Sequence, residues 1–339
     1  MGNDQARVRE NSMHKKITRR AFCSMLLALP FPARAQQPAK MARLGYLGFA
    51  FPSTNPNRRE ALLQGLRDLS YVEGKNITID YRWSEGKAEF LPNLAAELVG
   101  LKPDVIFVGS PQPTLALKKA TTTIPVVFVG IGDPVATGVV ASLAHPGGNI
   151  TGLANMAGEL SGKRLELLKE SAPKIKSVAV FRNGGNPRDL KVWQDLEAAA
   201  RALKLKLYTL DVRSAEDFDI AFRAATKLRA DALMPLPDPF INSQMKRVIE
   251  FAAKNRLPAI YAGSEFVDAD GLMAYAPNIA DQFRRAAVFI DKILKGTKPA
   301  ELPVERPIKF EFVINLKAAK QIGLTIPQWT LMKADRVIK

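Results

Sequence analysis

Few residues in this chain could do covalent or metal chemistry. Among 339 residues there is one cysteine, Cys23, and there are two histidines, His14 and His145. That stock excludes a disulfide framework and a thiolate zinc site, and no metal or other cofactor is expected. No G-x-S-x-G, H-E-x-x-H or G-x-x-x-x-G-K-[ST] occurs, so no nucleophile has a recognisable partner and no phosphate loop is present. The stretch Gly48-Phe49-Ala50-Phe51-Pro52-Ser53-Thr54 is not a G-x-G-x-x-G, which argues against a dinucleotide site. What remains is reversible polar chemistry. In Gly109-Ser110-Pro111-Gln112-Pro113-Thr114 a hydroxyl and free backbone N–H groups stand at a helix start, an arrangement that holds a carboxylate and equally serves as a plain helix cap. Asp133, before Pro134, has the form of a cap followed by a first-turn proline, and its carboxylate could also meet a ligand ammonium. Asp133, Asp238 and Glu265 could instead pair across a cleft as in glycoside hydrolysis.

These residues need elements to present them. From Arg43 onward, short apolar runs alternate with amphipathic stretches, the pattern of parallel strands joined by crossover helices. Strands are expected at 44–49, 76–83, 105–108 and 126–130, with helices at 58–69, 88–99 and 113–120 between them and a further helix starting at Pro134. The pattern then begins again, with helices at 158–171, 190–203, 215–228 and 241–255 and strands at 177–181, 206–210, 232–235 and 259–261. Ligands of open parallel sheets bind beyond the carboxyl ends of the strands. The second set of such loops holds Arg182-Asn183-Gly184-Gly185-Asn186, Pro237-Asp238-Pro239 and Ala262-Gly263-Ser264-Glu265. Tyr261 and Tyr275, at or near strand ends, could stack on a ligand or simply fill the core. His145 reads as a surface-turn residue.

Helix 279–294 carries Phe283, Ala287, Ile290 and Leu294 on one stripe and has no place at the end of a completed second half, so it is expected to cross back to the first. Residues 295–307, with three prolines, read as an irregular connection before one more strand at 310–314. The expected fold is thus α/β: two doubly wound parallel-sheet lobes joined by a multi-crossing hinge. One lobe comprises 42–155 with about 278–300, the other 156–277 with about 308–339.

The first 35 residues read as a removable leader. Lys15, Lys16, Arg19 and Arg20 precede an apolar run from Ala21 to Phe31, and Ala33-Arg34-Ala35 supplies a small-x-small cleavage site. Thr18-Arg19-Arg20-Ala21-Phe22 has the twin-arginine form read by the export route for folded proteins, and Met13 is a plausible start. The alternative is an amphipathic N-terminal extension. The run is shorter than the roughly 20 residues needed to span a bilayer. Cleavage near Ala35 removes seven basic and two acidic residues, lowering the formal charge from +16 to +11, along with the cysteine and His14. The remaining positive charge is dispersed, so no nucleic-acid partner is expected.

Asp133-Pro134-Val135-Ala136-Thr137-Gly138-Val139-Val140-Ala141-Ser142-Leu143-Ala144-His145-Pro146-Gly147-Gly148-Asn149-Ile150-Thr151-Gly152 resembles the most characteristic stretch of the uncharacterised-type ABC-transporter substrate-binding proteins, which are related to aromatic amino-acid binders. Ile314-Asn315-Leu316-Lys317-Ala318-Ala319-Lys320-Gln321-Ile322-Gly323-Leu324-Thr325-Ile326-Pro327 is a second match. The resemblance covers about 43–338. It implies a type I periplasmic-binding-protein fold, a small-molecule ligand such as an amino acid, and delivery to an ABC permease, with membrane contact only through that permease. It also implies ligand contacts at Ser110, Asp133, Asn155, Asn183, Asp238 and Tyr261. With Gln112 and Glu265 from the loop reading, these are the expected ligand-binding residues. The expectation is a periplasmic monomer with no catalytic residues. Two alternatives stay open: a ligand-sensing domain of the same fold, although the leader occupies the space a helix-turn-helix would need, and a cleft hydrolase.

Overall fold

The computed structural model describes residues 41–53, 56–184 and 189–339. The expected leader therefore lies outside the described residues, as do Thr54, Gly185 and Asn186.

The first half runs β1 (Ala42–Gly48), α1 (Pro56–Asp68), β2 (Ile77–Trp83), α2 (Leu91–Gly100), β3 (Val105–Val108), α3 (Pro111–Ala120), β4 (Val126–Ile131) and β5 (Ile150–Ala154). Its five strands are all parallel, in the order β2-β1-β3-β4-β5. Alternate side chains go to opposite faces, and both faces are covered, which explains why the strands read as unbroken apolar runs. Val105, Phe107, Val127 and Val129 join Leu62 and Leu66 of α1 on one face. Ile106, Val108, Val126 and Phe128 join Leu98 of α2 and Leu117 of α3 on the other. Strand β5 was not expected. Gly152 interrupts its apolar pattern because a Cβ there would lie 2.0 Å from the Phe128 carbonyl oxygen, so the backbones of β4 and β5 approach where no side chain fits.

The second half runs α4 (Ser161–Ser171), β6 (Ser177–Arg182), α5 (Asp189–Ala202), β7 (Lys206–Asp211), α6 (Asp217–Lys227), β8 (Ala232–Pro235), α7 (Pro239–Ser243), α8 (Met245–Lys254), β9 (Ile260–Tyr261), α9 (Ser264–Asp268) and β10 (Met273–Pro277). Then come α10 (Ile279–Leu294), β11 (Phe310–Asn315), α11 (Leu316–Gln321), α12 (Gln328–Leu331) and β12 (Arg336–Ile338). The sheet segments β7-β6-β8 and β12-β11-β10-β9 are linked by a parallel bridge from Leu233 to Ala259. The expectation of purely parallel sheets needs one correction: β11 runs antiparallel to β10. It enters this sheet on the return from the first half, so it arrives from the opposite end. The expected helix 241–255 is two helices, broken at Gln244.

Helix α10 buries Phe283, Ala286, Ala287 and Ile290 in the core of the first half, against α1 and the first sheet. Three chain segments run side by side where the halves meet. The Ala154 N–H donates to the Glu305 carbonyl at 2.9 Å, the Glu305 N–H to Gly152 at 3.0 Å, and the Asn278 N–H to Lys309 at 3.0 Å.

Candidate ligand-binding site

Helix α1 follows β1 and α9 follows β9, so the first turns of both mark the carboxyl edges of their sheets. Arg58 of α1 and Glu265 of α9 form an ion pair at 3.6 Å. The carboxyl edges of the two halves therefore face each other, and the described residues of the loops singled out in the sequence follow strands at those edges.

On the first rim, Ser110 is the N-cap of α3 with extended backbone, but its side chain makes no capping bond, which leaves the hydroxyl uncommitted to the helix. Its carbonyl accepts from Thr114 Oγ1 at 2.8 Å. Gln112 is half-buried in the first turn of the same helix. Asp133 accepts from the N–H groups of Val135 at 3.1 Å and Ala136 at 2.9 Å. It caps a run of turns and not a helix, which corrects the expected helix at Pro134 and removes that helix start as an anion site. Asn155 follows the last residue of β5; its N–H donates to Ile131 at 2.7 Å, while its buried Oδ1 has no partner.

On the second rim, Asp238 is buried and caps α7, accepting from Phe240 N at 2.8 Å and Ile241 N at 3.2 Å. Its other oxygen accepts from Asn183 Nδ2 at 3.3 Å, so these two expected residues meet across the loops after β6 and β8. Glu265 faces Arg58 across the rims. Tyr261 departs from expectation: it is 1% exposed, stacks on Phe266 with centroids 4.6 Å apart, and its hydroxyl pKa is driven up by burial. Its ring belongs to the core of the second half, because β9 is covered on both faces. Tyr275 stacks on Phe310 at 6.0 Å. His145 stands on an exposed turn, its N–H donating to Ser142 Oγ at 2.9 Å.

Three residues near the facing rims or the crossing segments had not been singled out. Arg58 opens the expected helix 58–69, whose pattern gives no hint of a partner more than 200 positions away. Arg164 is wholly buried on α4; it donates to the carbonyls of Tyr275 and Ala157, each at 2.8 Å, and burial pulls its pKa down to about 9. It thereby ties β10 to the segment that leaves β5. Gln282 of α10 is 2% exposed and donates from Nε2 to the Ala154 carbonyl at 2.8 Å, while its Oε1 has no partner. Neighbouring the stripe residue Phe283, it looks like part of a core face. A recess of about 690 Å³ lies away from both rims, between α6 and α8, lined by Phe222, Arg247 and Phe251 among others, and none of the expected residues reaches it.

Two α/β sheets with facing carboxyl edges and adjacent crossings can hold a small polar solute. Residues 52–338 match the family described as ABC transporter substrate binding protein. The chain belongs to that family. It is 25% identical over 284 residues to the Tyrosine-binding protein of Clostridioides difficile strain R20291, covering 83% of this chain and 81% of that protein. Among solved structures it is similar to the ABC domain from Streptococcus pneumonia in complex with L-Trp, at 26% identity and a TM-score of 0.75, covering 88% of this chain and 99% of that one. A conserved domain protein from Vibrio cholerae O1 biovar El Tor is 29% identical with a TM-score of 0.76, covering 88% and 100%. The fold is that of the type I periplasmic binding proteins. Among the described residues, no helix is long and apolar enough to cross a membrane.

Proposed function

We propose that this chain captures an amino acid, an aromatic one, between its facing rims and hands it to an ABC import permease without transforming it. The supporting observation is the Arg58–Glu265 pair, which sets the two rims within reach of a single small molecule. The lobes of this reading are 42–155 with about 278–300, and 156–277 with about 308–339. The Ser110 hydroxyl and the Gln112 N–H, the one amide that Pro111 and Pro113 leave in the first turn of α3, would take the ligand carboxylate, since a helix start favours an anion. Asp133, Asn155, Asn183 and Asp238 would take its hydrogen-bond donors, and Gln112 and Glu265 would border the opening. Phe51, half exposed on the loop after β1, adds apolar surface of the kind that suits a ring. The relatives support the ligand class, since one is a tyrosine-binding protein and another was solved with L-Trp. Residues 1–35 would carry the chain to the periplasm and be removed near Ala35, and the chain would work as a monomer.

Thermal unfolding tests this. A ligand at one hundred times its Kd adds about 2.7 kcal/mol to stability, which raises Tm by several degrees. L-Tyrosine or L-tryptophan should give that rise and sugars should not. A panel of amino acids that leaves Tm unmoved rejects the reading.

A further inference from the structure

We propose that the amide oxygens of Asn155 and Gln282 together receive the ligand's ammonium group, which makes Gln282 a specificity-determining residue supplied by the helix that crosses back. The Nε2 bond from Gln282 to the Ala154 carbonyl fixes which way its amide points, and Oε1 is then left buried without a donor. Asn155, the next residue in the chain, has its Oδ1 in the same condition. A buried carbonyl oxygen without a donor is costly, and two so close in the fold call for a shared donor. The place is right for a ligand. Ala154 ends β5 at the carboxyl edge of the first sheet, the edge that carries Ser110 and Asp133. Phe283, beside Gln282, lies against Gly109 of the loop before α3.

The chemistry selects the group. Two neutral acceptors suit a group that brings several N–H donors and no acceptor, and an ammonium brings three. Arg285, further along α10, also has an unpartnered Nε, while its Nη2 is held by the Glu305 carboxylate. A water joining Arg285 to Gln282 is therefore the competing account, and the test separates the two.

This inference rests on the amino-acid reading above. Calorimetric titration of the full chain would use L-tyrosine and its des-amino analogue, 3-(4-hydroxyphenyl)propionate. Because hydrogen bonds to a charged group are among the stronger ones, Gln282→Met should weaken L-tyrosine binding roughly tenfold or more while leaving the analogue within about twofold. Asn155→Ala, at a half-exposed position less exposed to folding defects, should show the same selective loss, with melting curves confirming that both variants fold. Equal losses for both compounds, or none, would overturn the inference while the amino-acid reading stands. No binding of L-tyrosine or L-tryptophan by the unaltered chain would overturn both.

Discussion

Glu311 shows how burial near the crossings can set a residue's charge behaviour. It lies half-buried on β11, accepts from Asn278 Nδ2 at 3.1 Å, and has Arg336 at 3.9 Å. Burial raises its pKa above the ordinary carboxylate value; Arg336 opposes the rise, and Asp268 and Asp335 add to it. The folded chain therefore holds this proton to higher pH than the unfolded chain does. Its contribution is favourable below the unfolded pKa and is lost as pH rises through the folded one. Glu311→Gln keeps an acceptor for Asn278 and removes the titration. Its Tm relative to the unaltered chain should climb between pH 4 and pH 7, and a flat difference across that range would reject the assignment. Asp238 and Tyr261 show the limits of reading residue types. Asp238 lies in the loop after β8 and Tyr261 closes β9, yet one meets Asn183 at a rim and the other is sealed in the core. Sequence places a residue at a strand end but does not reveal how much chain will be laid over it.

Helix α10 is the element that holds the arrangement together. Its apolar stripe and its lack of a place in the second half were legible from residues 279–294, and its bounds agree with that reading. Its docking depends on Gly65 of α1. A Cβ at that position would stand 2.3 Å from the Arg284 carbonyl oxygen and 2.9 Å from Ala287 Cβ, so the two helices approach backbone to backbone. Gly65→Ala must push them apart. It should destabilise the chain by about 1–3 kcal/mol, less the helix-propensity gain of up to about 1 kcal/mol, as measured by denaturant unfolding. Because α10 also carries Gln282, the same variant should bind L-tyrosine more weakly. Strand β5 and helix α9 were missed for a different reason: five-residue elements with a glycine inside or just before them give too little periodicity to register.

Across the molecule, the two halves meet through three adjacent chain segments and, at the rims, through Arg58 and Glu265. A partly exposed ion pair at 3.6 Å contributes on the order of 1 kcal/mol or less, so it can bias an opening equilibrium without locking it. Glu265→Ala should weaken amino-acid binding no more than about fivefold, with the difference shrinking in high salt. Small-angle scattering of the ligand-free variant should show a larger radius of gyration than the unaltered chain. An unchanged radius would mean that the pair follows the closeness of the rims and does not promote it.

The order of the longer strands and helices, the two-part α/β plan and the return of α10 were written in local patterns, because burial on one or both faces imposes a period on neighbouring residues. Membership of the substrate-binding family was legible too, since one long loop stretch carried it. The antiparallel entry of β11, the burial of Tyr261, the buried Arg164 bridging two carbonyls, and the paired orphan acceptors of Asn155 and Gln282 were not. The first depends on the path of a connection that leaves the sheet and returns, and the others on groups more than a hundred positions apart or on chain folded over a position from elsewhere; no local period encodes such a meeting.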